Sequence, residues 1–268
     1  MKITLSCVSS FSEARDKFSP ERSKQNEDSL IVPFKKSNGF LFGVADGLGS
    51  YHGAKEASYF VCNYIENLQQ ISHEYLKYSL KEELKINFQN FIQSQNSEYI
   101  KASTTLSFCF LDDSGLSIWH IGDCRVYIKQ DTKLIQLTND HTQYQKLLDK
   151  KIYSKKELNE KKISQSTLTN AISSFIDLDN DYTFIPYDSL KDEYGEEMSV
   201  FIMSDGAYHF WDQRKNFSKV TMSDTIKFTN ALKRRIENKG PIDDYTLIGT
   251  KFYLKYNLLY EVEKPNIS

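Results

Sequence analysis

The chain has 268 residues, 40% hydrophobic and 13% aromatic, with 34 Lys and Arg against 36 Asp and Glu and a formal net charge of −2. That balance offers no bulk attraction to nucleic acid or to an anionic membrane surface, and only 11 Gly and 5 Pro argue against extended disorder. Cys7, Cys62, Cys109 and Cys124 form no CxxC pair, which argues against a zinc ribbon or disulfide framework and fits a reducing, cytoplasmic compartment.

The length suits one domain spanning 1–268. The first residues carry no long apolar stretch of a targeting peptide, and no apolar run approaches the ~20 residues that span a bilayer. "ITLSCVSS" predicts a first strand, and "FSEARDKFSPERSKQNED" a polar loop. "SLIVPF" and "FLFGVAD" predict two strands around the turn signal "KKSNG". Ala54, Ala57, Ser58, Val61, Ile65 and Leu68 recur at three- and four-residue spacing, which predicts a helix over 53–69. Leu80, Leu84, Phe88, Phe91 and Ile92 predict another over 80–101.

The period then drops to two. Leu106, Phe108 and Phe110, then Val126 and Ile128, alternate through consecutive strands with turns at "DDSG" and "QDTK". Residues 141–170 are lysine-rich and predict short helices on a mobile surface segment. "DYTFIPY" and "MSVFIMSDG" read as strands, 223–238 as a helix, "DDYTLIGTKFYL" as the last strand, and "EKPNIS" as a fraying tail. Antiparallel strand blocks with segregated helices indicate an α+β class. The strands are too many for one half-exposed sheet. Two stacked antiparallel sheets with helices outside, a four-layer αββα sandwich, would bury all of their faces.

Several of these strands end alike. Asp46, Asp123 and Asp205 each close an apolar run, Asp243 and Asp244 precede one, and Glu27 and Asp28 stand ahead of "SLIV". Each alone is explained by a common Asp turn. Gathered on one sheet edge, however, unpaired carboxylates repel one another and resist desolvation. A bound hard cation relieves both, and an all-oxygen set without His or Cys suits Mg²⁺ or Mn²⁺. His52 reads as surface, His120 as a packed sheet residue, His141 as a cap on a turn or helix start, and His209 as packed among aromatics near that edge.

The ordered series "NED", "ADGLGS…GAKEAS", "TTL", "HIGDCR", "LTNDHT", "SDG" and "DDYT" resembles the metal-dependent type 2C serine/threonine protein phosphatases, in their compact bacterial form. The resemblance runs from residue 26 to 249 and implies the same four-layer fold. It implies that Asp46 bridges two Mg²⁺ or Mn²⁺ ions, that the Gly47 carbonyl, Asp205 and Asp243 are further ligands, and that Glu27 and Asp28 support the metal-bound water. It also implies that Asp123 helps hold a third, weaker ion. The implied reaction is hydrolysis of phosphoserine and phosphothreonine by a water bridging the two ions. Partners would be a phosphorylated protein and, indirectly, a Ser/Thr kinase; the segment 143–200 would include a flap beside the site.

Three positions depart from the family pattern. Its phosphate-gripping arginine falls at Ser23, flanked by Arg22 and Lys24, so Arg22 is the candidate phosphate-binding residue and a binding-only pseudo-phosphatase is the alternative reading. Leu48 stands where some relatives have a histidine. Asp244 replaces a usual asparagine, either raising cation affinity or facing solvent.

Overall fold

The computed structural model describes residues 2–17, 25–49 and 52–255. Its strands and helices follow in chain order: β1 (Lys2–Glu13), β2 (Asp28–Lys36), β3 (Gly39–Asp46), α1 (Ala54–Glu66), α2 (His73–Tyr78), α3 (Leu80–Ser94), β4 (Ser103–Thr104), β5 (Leu106–Leu111), β6 (Gly115–Ile121), β7 (Arg125–Gln130) and β8 (Lys133–Gln136). The second half adds α4 (Gln143–Asp149), α5 (Lys155–Glu160), β9 (Ile172–Ser173), β10 (Asp181–Pro186), α6 (Tyr187–Tyr194), β11 (Glu197–Met203), α7 (Asp205–Asp212), α8 (Lys219–Met222), α9 (Thr225–Lys239) and β12 (Tyr245–Lys255).

Two antiparallel five-stranded sheets dominate, one in the order β1-β12-β11-β7-β8 and the other β10-β6-β5-β3-β2. Side chains alternate across each strand, and both faces are apolar. Phe42 and Val44 of β3, Cys109 of β5, Ile118 of β6, Val200 and Ile202 of β11 and Ile248 of β12 meet in the layer between the sheets. Their neighbours point the other way. Leu41, Phe108, Phe110 and Trp119 pack against Val61, Ile65, Leu84 and Phe88 of α1 and α3, while Phe201, Met203 and Leu247 pack against Trp211, Phe228 and Leu232 of α7 and α9. Three buried seams between four layers give the expected αββα sandwich.

The small residues Ala54, Ala57 and Ser58 lie on the buried face of α1 and let it sit close to β2 and β3. Helix α5 begins with a capping box between Ser154 and Glu157. Local differences from the sequence expectations are confined to short elements. The helix expected over 80–101 ends at Ser94 and is followed by a 3₁₀ turn at Ser97–Lys101. Helices α2, α6, α7 and α8 are too short for a helical period to show in the sequence. The tail "EKPNIS" lies outside the described residues.

Candidate active site

The carboxylates arrive at one end of the sandwich by separate routes. Strands β2 and β3 pair with Asp28 directly opposite Asp46, which sets two acids side by side at the end of one sheet. Strand β6 turns through Gly122, at φ 101°, into Asp123. In the other sheet β11 leads through Ser204 to Asp205, the first residue of α7 rather than the end of a strand. Asp243 precedes β12. As a result Glu27, Asp46, Gly47, Asp123, Asp205 and Asp243 line one cavity of about 350 Å³. Asp28 lies behind them, 1% exposed.

Hydrogen bonds fix these positions from both sheets. The Asp46 N–H donates to Thr105 Oγ1 at 3.0 Å, and its carbonyl accepts from Thr105 N at 2.8 Å and Thr104 Oγ1 at 2.9 Å. The "TTL" motif is therefore the brace behind Asp46. Ser204 ties the two sheets together. Its Oγ accepts the Thr246 N–H at 2.9 Å and donates to Asp28 Oδ2 at 2.8 Å. Gly206 is needed because a Cβ there would lie 2.0 Å from the Asp244 carbonyl oxygen, so the loop before β12 can approach only a glycine.

The electrostatics are strained in one direction. Burial, opposed by hydrogen bonds from Thr246 and Ser204, and the charges of Asp244 and Asp205 push Asp28 up to about 7. Burial and Asp243 push Asp205 up to about 6, although it also bonds to Asp46. Asp46 is raised by burial and by the charges of Asp28, Asp205, Asp123 and Asp243, and Asp123 by burial, Asp205 and Asp140. Without a cation these groups hold on to protons. Asp28 Oδ1 is buried with no hydrogen-bond partner, an orphan of the sort that a further polar ligand normally satisfies.

Among the described residues, no three His, Cys, Asp or Glu side chains stand where they could already hold a metal ion. The donor chemistry nonetheless fits a hard divalent cation: several carboxylates on one cavity, offering oxygen with no His or Cys among the lining residues.

Just beside the cavity lies a second acidic group of different character, which sequence reasoning missed. Arg125 donates to both oxygens of Asp140, Nε at 2.8 Å and Nη2 at 2.6 Å, and through Nη1 to Asp212 at 2.7 Å. Its guanidinium also lies 3.6 Å from the Tyr208 ring centre. These partners hold the Arg125 charge firmly, and it lowers Asp123 slightly in turn.

Asp244 does not face open solvent: it is 8% exposed and lines the acidic cavity. Its Oδ1 accepts the Arg15 N–H at 2.8 Å and its Oδ2 the Glu27 N–H at 2.6 Å. Arg22, Ser23 and Lys24 lie outside the described residues. His52 is exposed, as expected. His120 is a packed sheet residue, bonded to Ser107 and to the Asn139 carbonyl at 2.8 Å each, and burial pushes it down to about 4. Of the two alternatives for His141 the turn holds: Thr142 caps α4, while His141 accepts the Gly122 N–H in the turn after β6 and pairs with Asp181 at 3.2 Å. His209 is exposed; it bonds Gln213 and, of its aromatic neighbours, meets the edge of Phe210, with ring centres 5.3 Å apart.

Comparison with known proteins gives a consistent result. A model described as Protein phosphatase 2C matches residues 20–176. The serine/threonine phosphatase stp of Listeria monocytogenes is 30% identical over 133 residues, covering 46% of this chain and 52% of that protein. The crystal structure of the serine/threonine phosphatase Stp1 from Staphylococcus aureus superposes with a TM-score of 0.73 at 17% identity, covering 93% of this chain and 95% of that one. The catalytic domain of the serine threonine protein phosphatase PstP, crystallised with two manganese ions, gives a TM-score of 0.63 at 17% identity, covering 94% and 100%. At these identities the structural matches speak for the fold.

Proposed function

The chain belongs to the protein phosphatase 2C family, and from that premise we propose that it is a Mg²⁺- or Mn²⁺-dependent enzyme that hydrolyses phosphoserine and phosphothreonine in proteins. The observation that carries the reading is the convergence of Asp46, Gly47, Asp123, Asp205 and Asp243 on one cavity from strand ends of both sheets. The solved PstP catalytic domain, with the same fold, holds two manganese ions, which supports a divalent cofactor here.

In this reading Asp46 is the shared ligand, with the Gly47 carbonyl, Asp205 and Asp243 completing the set, and Asp123 offers a site for a third, weaker ion. Two ions so held would acidify a water and neutralise charge on the phosphoryl oxygens. The chain's own contribution is placement. The threonine brace fixes the direction of Asp46, and Ser204 keeps Asp28 ionisable beside it by donating to its carboxylate. Glu27, at the cavity wall, would orient a water and accept its proton, with Asp28 supporting it from behind. No helix among the described residues is long and apolar enough to cross a membrane. Four free cysteines fit the cytoplasm as the working compartment, opposite a Ser/Thr kinase.

The test is cleavage of a phosphothreonine peptide with Mn²⁺ and with EDTA. Activity should require the metal. Activity that survives full chelation would remove the two-ion reading, and metal binding without cleavage would leave a binding module instead.

A further inference from the structure

Asp123 reaches the cavity on a tight turn, and both peptide groups of the glycine before it are bound to one residue. The Gly122 N–H donates to His141 Nδ1 at 3.2 Å, and the Gly122 carbonyl accepts the His141 N–H at 2.7 Å. Gly122 itself lies on the threonine that braces Asp46: a Cβ there would come within 2.4 Å of Thr105 Cγ2. His141 is engaged on its other sides as well. Its carbonyl accepts the Thr169 N–H at 2.7 Å, and the Gln143 N–H donates to the Thr167 carbonyl at 2.9 Å. Residues 141–143 therefore run beside 167–169, where Thr142 bridges to Leu168. Leu168 and Ser166 line the same cavity as Asp123.

The fourth partner of His141 is Asp181, at the start of β10 and opposite His120 in β6. A ring nitrogen that accepts an N–H carries no proton, so the imidazole hydrogen sits on Nε2. Nε2 faces Asp181 Oδ2 at 3.2 Å. The carboxylate takes that hydrogen and so keeps the ring turned with its Nδ1 lone pair on Gly122. The His141 side chain is 14% exposed and that of Asp181 59%, so the acid is open to substitution without disturbing the interior.

We infer that His141, oriented by Asp181, is a positioning residue that holds Asp123 at the cavity and ties its turn to the wall at 166–168, so that uptake of the weaker ion at Asp123 depends on the imidazole acceptor. Asp46, Asp205 and Asp243 are held by other elements, and the two tighter ions do not need this tie. The inference rests on the phosphatase reading above.

The test is Mn²⁺ binding to the metal-free full chain, read by the paramagnetic resonance signal of the free ion. Mn²⁺ activation of phosphothreonine-peptide cleavage is measured beside it, with thermal melting as a check on folding. His141→Phe keeps a ring but no acceptor. It should weaken the loosest ion about tenfold, the scale of one lost hydrogen bond, raise the Mn²⁺ needed for half-maximal activity by the same factor, and leave the two tighter ions in place. His141→Asn returns an acceptor near the position of Nδ1 and should recover most of the loss. Asp181→Ala should cost about threefold, Asp181→Asn less, and neither should add to His141→Phe, because both act through one ring. If His141→Phe does not fold, the two Asp181 variants decide in its place. An active wild type that binds only two ions, a folded His141→Phe whose loosest ion is unmoved, a His141→Asn no better than His141→Phe, or a folded Asp181→Ala that binds as wild type overturns the inference alone. A wild type that takes up no Mn²⁺ removes the two-ion phosphatase reading and this inference with it.

Discussion

Two groups of acids lie side by side and meet the cost of their charge differently. Asp140 and Asp212 are neutralised from within the chain by Arg125, through three hydrogen bonds of 2.6–2.8 Å. Among the described residues no Lys or Arg forms an ion pair with the carboxylates of Asp28, Asp46, Asp123 and Asp205, and burial and mutual repulsion raise all four. The first group is complete as folded and serves to hold β7, the 138–141 loop and α7 together. The second is complete only with something added. The difference teaches that burial of charge does not by itself mark a functional site; burial of charge without an internal counter-ion does.

The comparison breaks most visibly at Asp46. Asp46→Asn should keep the fold and lose at least a thousandfold in turnover of a phosphothreonine peptide, because the shared ligand of both ions is gone; kinetics with Mn²⁺ checks this. Arg125→Met should do the opposite. It strands the buried Asp140, while exposed Asp212 keeps its pairing with Lys215, and should destabilise the protein by about 3 kcal/mol, the usual cost of removing one member of a buried pair. Urea unfolding measures that loss, which should fall on stability first and on activity second.

A pH series sharpens the contrast. Folded Asp28 and Asp205 keep protons up to about 7 and about 6 that the unfolded chain sheds near 3.8. Because the folded state binds more protons in this window, their contribution to stability is present below pH 4 and is lost as pH rises through 6 and 7. Melting in chelator should therefore show these groups losing stability from pH 5 to pH 8, and the rise in midpoint on adding Mn²⁺ should grow over the same range. A gap between the two curves that stays constant with pH would count against a cation-dependent acid cluster. The smallest expected effect is that of Ser204→Ala. It removes the hydroxyl that joins Thr246 to Asp28 across the two sheets, at about 1–2 kcal/mol in unfolding.

How much of this was legible in the sequence depended on distance along the chain. Strand alternation at Leu106, Phe108 and Phe110 is local and foretold the sheets. The acids at strand ends were equally visible, because an apolar run stopping at Asp is a local signal. Helix α7 was not: "MSVFIMSDGAYHFW" is apolar throughout, and eight residues give too few turns for a period to separate helix from strand. Least legible were the ties that place the site. Ser204 reaches Asp28 across 176 residues, and Asp244 reaches Arg15 across 229 and Glu27 across 217. No spacing rule reports such pairs. The doubled "DD" before β12 was the one visible sign, and its meaning came only with the two N–H groups it accepts.

The central claim is that the uncompensated acids form a site for divalent ions, and calorimetric titration of the chelated protein with Mn²⁺ tests it most directly. The account predicts two ions bound per chain in the wild type and loss of that binding in Asp46→Asn. A wild type that takes up no Mn²⁺, or one whose uptake Asp46→Asn leaves unchanged, would contradict it.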